Sequence, residues 1–575
     1  MREKSMKRKE QWNRSAWPRV LAAVLINAAF LLLMLTAFAP VYETNDDLLM
    51  SKFVDGQLSV KTAYVPYVNI LLGWLLKMLY TLFGDGFNWY AACQYFLLFL
   101  GFTAITWTLL RRFAPLPALV MTVVILGAFA SDCYLSMNFS KPAAVGTVGG
   151  MSLMLHAMRN DSGKVSRTPL VLGILLALGG FCWRWEEFGV CAVLMAAVCL
   201  SALFEIFGEN RHKPRGQRRS ASRYLAPFVL LAALAVGLYA LFQYAWNRPE
   251  VRFYKHFDDS RSLLIDYEIP DYKLMPEVYD ELDMDENFVY MMKNWSFYDT
   301  EVFTQEAIDT MLAARTEHVH RRTFGECLGV FLNKCLMGFT QDRPFAGFAL
   351  FLALWLACGR RRRAGDWAVV IYMAGMFFVM YMAFIYLERY LANRVDIGLF
   401  LAMAMVLSFH LEPEKLSGEK LLLTAVLLLS LLISYRANRV VCLYDSHNTI
   451  EDKSFEKAAV ARLLEDTEHL YFVKVWSVDH QLYTPLEPAP AGYADRLVHI
   501  GGWSMHHPVI EALLQSWGIE NPYRDLVNND SVYLIDNDID RTLAYLRFAY
   551  YPDAAAELLQ PLSDETGYRI YRITG

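Results

Sequence analysis

The chain has 575 residues, 55% of them hydrophobic and 20% charged, with a formal net charge of -5. That much apolar mass excludes a set of soluble domains, and it falls in blocks between short charged joints, the pattern of a polytopic membrane protein. Basic residues sit in the joints and acidic ones gather between about Pro249 and Glu326, which argues against nucleic acid as a partner.

In chain order, the basic stretch Met1–Arg19 precedes a first apolar block, Leu21–Ala39. Nothing after Ala39 resembles a small-residue cleavage site, so the block reads as a retained span behind a cytoplasmic N-terminus, residues 1–17. Apolar blocks predict about eleven spans, near 20–39, 88–110, 116–131, 143–158, 169–183, 187–207, 224–246, 344–358, 367–387, 393–411 and 420–435. Two blocks are ambiguous. Tyr64–Phe83 carries Lys77, and Phe324–Phe339 is interrupted by Glu326, Asn333 and Lys334. If both crossed, the basic joints at 159–167 and 211–223 would lie outside. If neither crosses, every basic joint, including Arg111, Arg112 and Arg360–Arg363, faces the cytoplasm as the positive-inside rule asks. Both are therefore expected as interfacial helices on the outer side.

Residues 18–435 then form a membrane domain with outer loops 40–87 and 247–343, and residues 436–575 a small extracytoplasmic α/β domain. The tail's strand-like runs are Leu470–Val475, Leu497–Ile500, Val532–Ile535 and Tyr568–Ile573. Helical stretches alternate with them at Ile450–Leu464, Pro508–Trp517 and Ile539–Phe548. The nine cysteines lie mostly inside apolar blocks without metal-ligand spacing, which argues against a disulfide framework or a structural zinc. The pair His506-His507 reads as part of a turn before Pro508.

The sharpest feature is Glu43-Thr44-Asn45-Asp46-Asp47, just beyond the first span. Adjacent carboxylates at a membrane surface repel, and they suit a metal or a base that takes a proton from an attacking hydroxyl. The competing reading is a solvated helix cap. Cations at outer ends of spans run against the positive-inside trend, and here they are Lys141, Arg184, Arg261, Arg389 and Arg394. Each could instead pair with a neighbouring carboxylate, as Arg184 with Glu186 and Glu187.

A first span followed at once by an acidic outer loop resembles the C-type glycosyltransferase superfamily, in particular bacterial members with a "TNDD"-like start, here Thr44-Asn45-Asp46-Asp47. Asn88-Trp89-Tyr90, Arg184-Trp185-Glu186 and the run Arg261 to Tyr267 fit the same group, and the likeness covers about residues 18–410. It implies transfer of a sugar from a polyprenyl-phosphate donor to an extracytoplasmic glycan, lipid or protein acceptor, with membrane lipids around the chain. Asp46 or Asp47 would be the base or a metal ligand, and the five cations would bind the donor phosphate. The resemblance leaves a divalent metal such as Mg or Mn open, with Asp47 and Asp132 as ligands. The rival from another class is a transporter or lipid-linked sugar flippase, which should bury charges mid-span and repeat interrupted helices.

Overall fold

Apolar blocks of this length satisfy their backbone in lipid only as helices, and each expected span is a helix in the computed structural model. The structure describes residues 17–159, 165–211, 220–267, 269–318, 322–359, 364–387, 393–448, 450–475, 482–488, 490–562 and 568–575. Among them six helices are long and apolar enough to cross a membrane: Trp17–Ala37 (α1), Trp89–Arg112 (α4), Pro115–Leu135 (α5), Trp185–Arg211 (α8), Ser222–Trp246 (α9) and Gly365–Tyr386, the body of α16. Shorter apolar helices are Ile70–Phe83 (α3), Arg167–Trp183 (α7), Arg343–Cys358 (α15) and Lys420–Tyr435, the start of α19. Small residues let these helices touch. A Cβ on Gly150 of α6 (Ser140–Met158) would meet the Gly173 carbonyl of α7 at 2.4 Å.

Hydrogen bonds sort the helix ends onto two faces. On one, β1 (Val41–Tyr42) pairs in parallel with β2 (Ser136–Met137), and Asn88 donates to the Tyr42 hydroxyl at 2.8 Å. The Asn69 N–H donates to the Cys182 carbonyl at 2.9 Å, and Arg394 lies 3.7 Å from Glu43 on that same face. On the other, Arg112 donates to the carbonyls of Ser408 and Phe409 at 3.2 and 2.6 Å. Arg159 donates to the Phe409 carbonyl at 2.9 Å, and Arg223 to that of Met158. The described basic joints gather there.

The sorting bears directly on the two ambiguous blocks. α3 has 14 residues, about 21 Å of helix against about 30 Å of hydrocarbon. Both its ends are held on the first face, through Asn69 at Cys182 and through Tyr80, whose hydroxyl donates to Asn88 at 3.2 Å. α14 (Phe324–Gln341) behaves likewise. Arg322 before it donates to the Ile385 carbonyl at 3.2 Å, and Arg343 after it lies 3.9 Å from Asp132. Neither helix runs from face to face. Trp74 and Met78 on one, and Leu332 and Leu336 on the other, give each an exposed apolar side.

α19 continues past residue 435 to Asn448, so the expected boundary between the last span and the tail falls inside one helix. After α20 (Ile450–Glu465) the strands β3 (Leu470–Val473), β4 (Leu497–His499), β5 (Val532–Asp536), β6 (Ala555–Pro561) and β7 (Arg569–Thr574) form one sheet in the order β4-β3-β5-β7-β6. β4, β3 and β5 are parallel, and β7 and β6 close the edge antiparallel. The sheet does not stand apart from the long loop after α9. Asp299, fully buried, accepts from the hydroxyls of Tyr545 at 2.7 Å and Tyr550 at 2.8 Å and from Asn521 at 2.9 Å. The N–H groups of Phe297 and Tyr298 both donate to the Ile500 carbonyl at 3.1 Å. The loop from α10 (Arg252–Ile265) through α13 (Gln305–His318) and the sheet therefore share one core.

Candidate active site

The site is assembled by the β1–β2 pair, which fixes the start of the first loop beside the end of α5. The Glu43 N–H extends that pair by donating to the Met137 carbonyl at 2.8 Å. Thr44 then takes the cap position of α2 (Asn45–Asp55), so Asp46 and Asp47 fall in its first turn, where the helix dipole favours carboxylates. The two acids point into different surroundings. Asp47 is fully buried against α4, where one oxygen accepts from the Tyr90 hydroxyl at 2.9 Å and from Gln94 at 2.8 Å. Its other oxygen is buried without a hydrogen-bond partner among the described residues. Burial pushes the Asp47 carboxyl up to about 7, against the pull of those two bonds and with help from the Asp46 and Glu43 charges. Asp46 is half-buried. Its Oδ1 accepts from Trp503 Nε1 at 2.9 Å and its Oδ2 from the Thr44 hydroxyl at 3.2 Å.

Around the acids runs a belt of charge. Lys141, 1% exposed, lies 2.7 Å from Glu43 and 2.6 Å from Asp132, and also donates to the Ser136 carbonyl. A buried ammonium costs several kcal/mol unless so paired. Arg343 and Arg394 face the same two carboxylates at 3.9 and 3.7 Å. Lys334 extends the belt to Asp396 at 3.0 Å. Arg184 donates to the Ser140 hydroxyl at 2.6 Å, lies 3.8 Å from Glu186, and places its guanidinium 5.1 Å from the centre of the Phe139 ring.

The expected phosphate cations therefore divide. Arg184 and Arg394, each with a side chain 24% exposed, keep an open side. Lys141 belongs to the belt, and Arg261, 1% exposed, is held by Asp258 at 2.8 Å and Asp266 at 3.4 Å. Two carboxylates enclose each of these cations, which leaves them no face for a ligand. Arg389 lies outside the described residues. The metal pairing does not fit: Asp132 is neutralised by Lys141 and Arg343, while Asp47 is engaged by Tyr90 and Gln94. Among the described residues no three His, Cys, Asp or Glu side chains gather to hold an ion.

Glu43, Tyr90, Gln94, Arg343 and Trp503 join the site without having been singled out as its residues. Gln94, four residues after Tyr90 on an otherwise apolar helix, is the one whose spacing signals it. His506 and His507 form the expected turn: His507 caps α22 (Pro508–Ser516) by accepting from the Val509 N–H at 3.3 Å.

No protein-family model matches the sequence, and no curated protein matches it. Among solved structures, the chain is similar to ArnT from Cupriavidus metallidurans bound to undecaprenyl phosphate, with 12% identity, 97% of this chain and 98% of that chain covered, and a TM-score of 0.39. It is similar to the same protein in the apo state at 13% identity and a TM-score of 0.39, over 96% of this chain and 97% of that chain. Likeness at that score leaves the function to be argued from the site.

Proposed function

We propose that the chain is a membrane glycosyltransferase that moves a sugar from a polyprenyl-phosphate carrier to a glycan, lipid or protein acceptor. The observation that carries this is the unequal acid pair, with a half-exposed Asp46 resting on a buried Asp47 and two part-open arginines on the same face. Asp46 takes the proton of the acceptor hydroxyl as its oxygen attacks the anomeric carbon. The carbon–oxygen bond to phosphate breaks, its electron pair leaves with the phosphate, and Arg184 and Arg394 meet the growing charge. One such displacement inverts the anomeric centre. Asp47 holds α2 on α4 and so aims Asp46. No step is assigned to a metal.

The clustering of arginines on the opposite face supports a cytoplasmic side there. The acids and the C-terminal sheet are then extracytoplasmic, the N-terminus is inside, and about eleven helices cross. Asn matches Asp in size, so Asp46→Asn removes basicity with little change in packing. In a cell-free assay with labelled polyprenyl-phosphate sugars it should lower transfer about 10²- to 10⁴-fold at near-normal expression. Wild-type turnover by Asp46→Asn would remove the base and the reading with it.

A further inference from the structure

Asp46 is reached from 457 residues away in sequence by an indole of the C-terminal sheet. We propose that Trp503 is a positioning residue for the transfer chemistry, through which that sheet forms one wall of the active site. This rests on the glycosyl-transfer reading above.

The sheet's topology puts the residue there. In open α/β sheets the functional crevice lies at the carboxyl ends of parallel strands, where the strand order reverses. Here β3 has β4 on one side and β5 on the other, and Trp503 follows β4. The turn is built without slack. A Cβ on Gly501 would stand 2.2 Å from the Trp295 carbonyl oxygen, and Gly502 has φ of +92°. The Trp503 ring stacks on Phe53 at 5.9 Å and meets Tyr67 edge-on at 5.9 Å. Its carbonyl accepts from the Tyr254 hydroxyl at 3.1 Å. His507, with Nδ1 accepting from Val509, directs Nε2–H to the Tyr64 carbonyl at 3.0 Å and ties the same turn to the first loop. An indole only 8% exposed and fixed on these sides holds its N–H, and with it the Asp46 carboxylate, in one place. Among the described residues its other donor is the Thr44 hydroxyl.

The titratable groups that feel Asp46 are Asp47 beside it, Tyr90 of α4, Tyr67 of the first loop and His499 of β4. Burial lowers His499 to about 4, so it is neutral at working pH. The indole N–H thus donates to Asp46 without bringing a competing charge.

Trp503→Phe keeps most of the packing and removes the donor. Losing a hydrogen bond to a charged acceptor should raise the acid limb of the pH–rate profile by about one unit and lower kcat about tenfold, with donor KM little changed. The contact has its own readout. In protein labelled with 5-fluorotryptophan, the 19F resonance absent from Trp503→Phe should shift with pH in the wild type and stay fixed in Asp46→Asn. A resonance that titrates equally in Asp46→Asn overturns the contact. A Trp503→Phe pH profile superimposed on the wild type, with the contact present, overturns the positioning role. If the wild type shows the contact but transfers no sugar from any polyprenyl-phosphate donor, the glycosyltransferase reading fails and the positioning role falls with it.

Discussion

The two faces of the helical bundle use their cations in opposite ways. On the basic face, Arg112, Arg159 and Arg223 donate to carbonyls at the ends of α17 (Asn393–Ser408) and α6. Arg112 and Arg159 both lie over the Phe409 ring, at 5.4 and 5.8 Å. Their charge closes the negative ends of helix dipoles. On the acid face Lys141, Arg343 and Arg394 meet carboxylates instead. A cation on a carbonyl is a cap, and a neighbour of the same sign can take its place. A cation between buried carboxylates sets the charge of the whole site, and it cannot be removed alone.

Sidedness is the all-or-none form of this contrast. Glu281→Cys on the acid face and Ser220→Cys on the basic face are both at exposed positions. A membrane-impermeant maleimide applied to intact cells should label the first and spare the second, and the reverse pattern would invert the two faces. Next in size is the loss of Lys141. Lys141→Met strands Glu43 and Asp132 against each other, which should cost about 3–5 kcal/mol and appear as a lower melting temperature or lost expression. Arg112→Lys keeps the charge and gives up only the fork, at about 1 kcal/mol. Equal melting temperatures for the two variants would erase the distinction between the faces.

Much of this was legible in sequence for reasons particular residues show. The parity of the basic joints, rather than any residue of their own, puts the ambiguous blocks on one side, and in the structure the contacts flanking each helix lie at one face. In the sheet, buried β3 and β5 announced themselves as apolar runs, whereas Ala555–Pro561 did not. That edge strand is exposed along nearly its whole length, and Ala-Ala-Glu-Leu-Leu-Gln-Pro lacks an alternating pattern. The acid pair was legible because carboxylates directly after a span are costly. For Arg261 the pairing alternative is the one the structure shows, and its partner Asp258 stands three residues before it on the same helix face. Trp503 could not be foreseen, because the contact joins the first loop to the turn after β4 and nothing local to either announces it.

Asp47 gives the finest test of the contrast, since the arginines of the basic face stay charged at every accessible pH while this acid does not. Its folded carboxyl holds its proton to about 7, well above the ordinary value of 3.8. Between those values the folded chain binds a proton that the unfolded chain has released, so this group's contribution is fully present below about 4 and is lost as pH rises through 7. From pH 5 to pH 7 the wild type should lose about 2 kcal/mol on this account. Asp47→Asn can still accept from Tyr90 and Gln94, and it carries no proton to lose. Its melting temperature in detergent should therefore fall less over the same interval, and it should exceed the wild type's at pH 8. Parallel curves would mean that Asp47 is ionised throughout. The buried acid would then be sustained by the belt of cations, and the electrostatic asymmetry of the pair would have to come from Asp46.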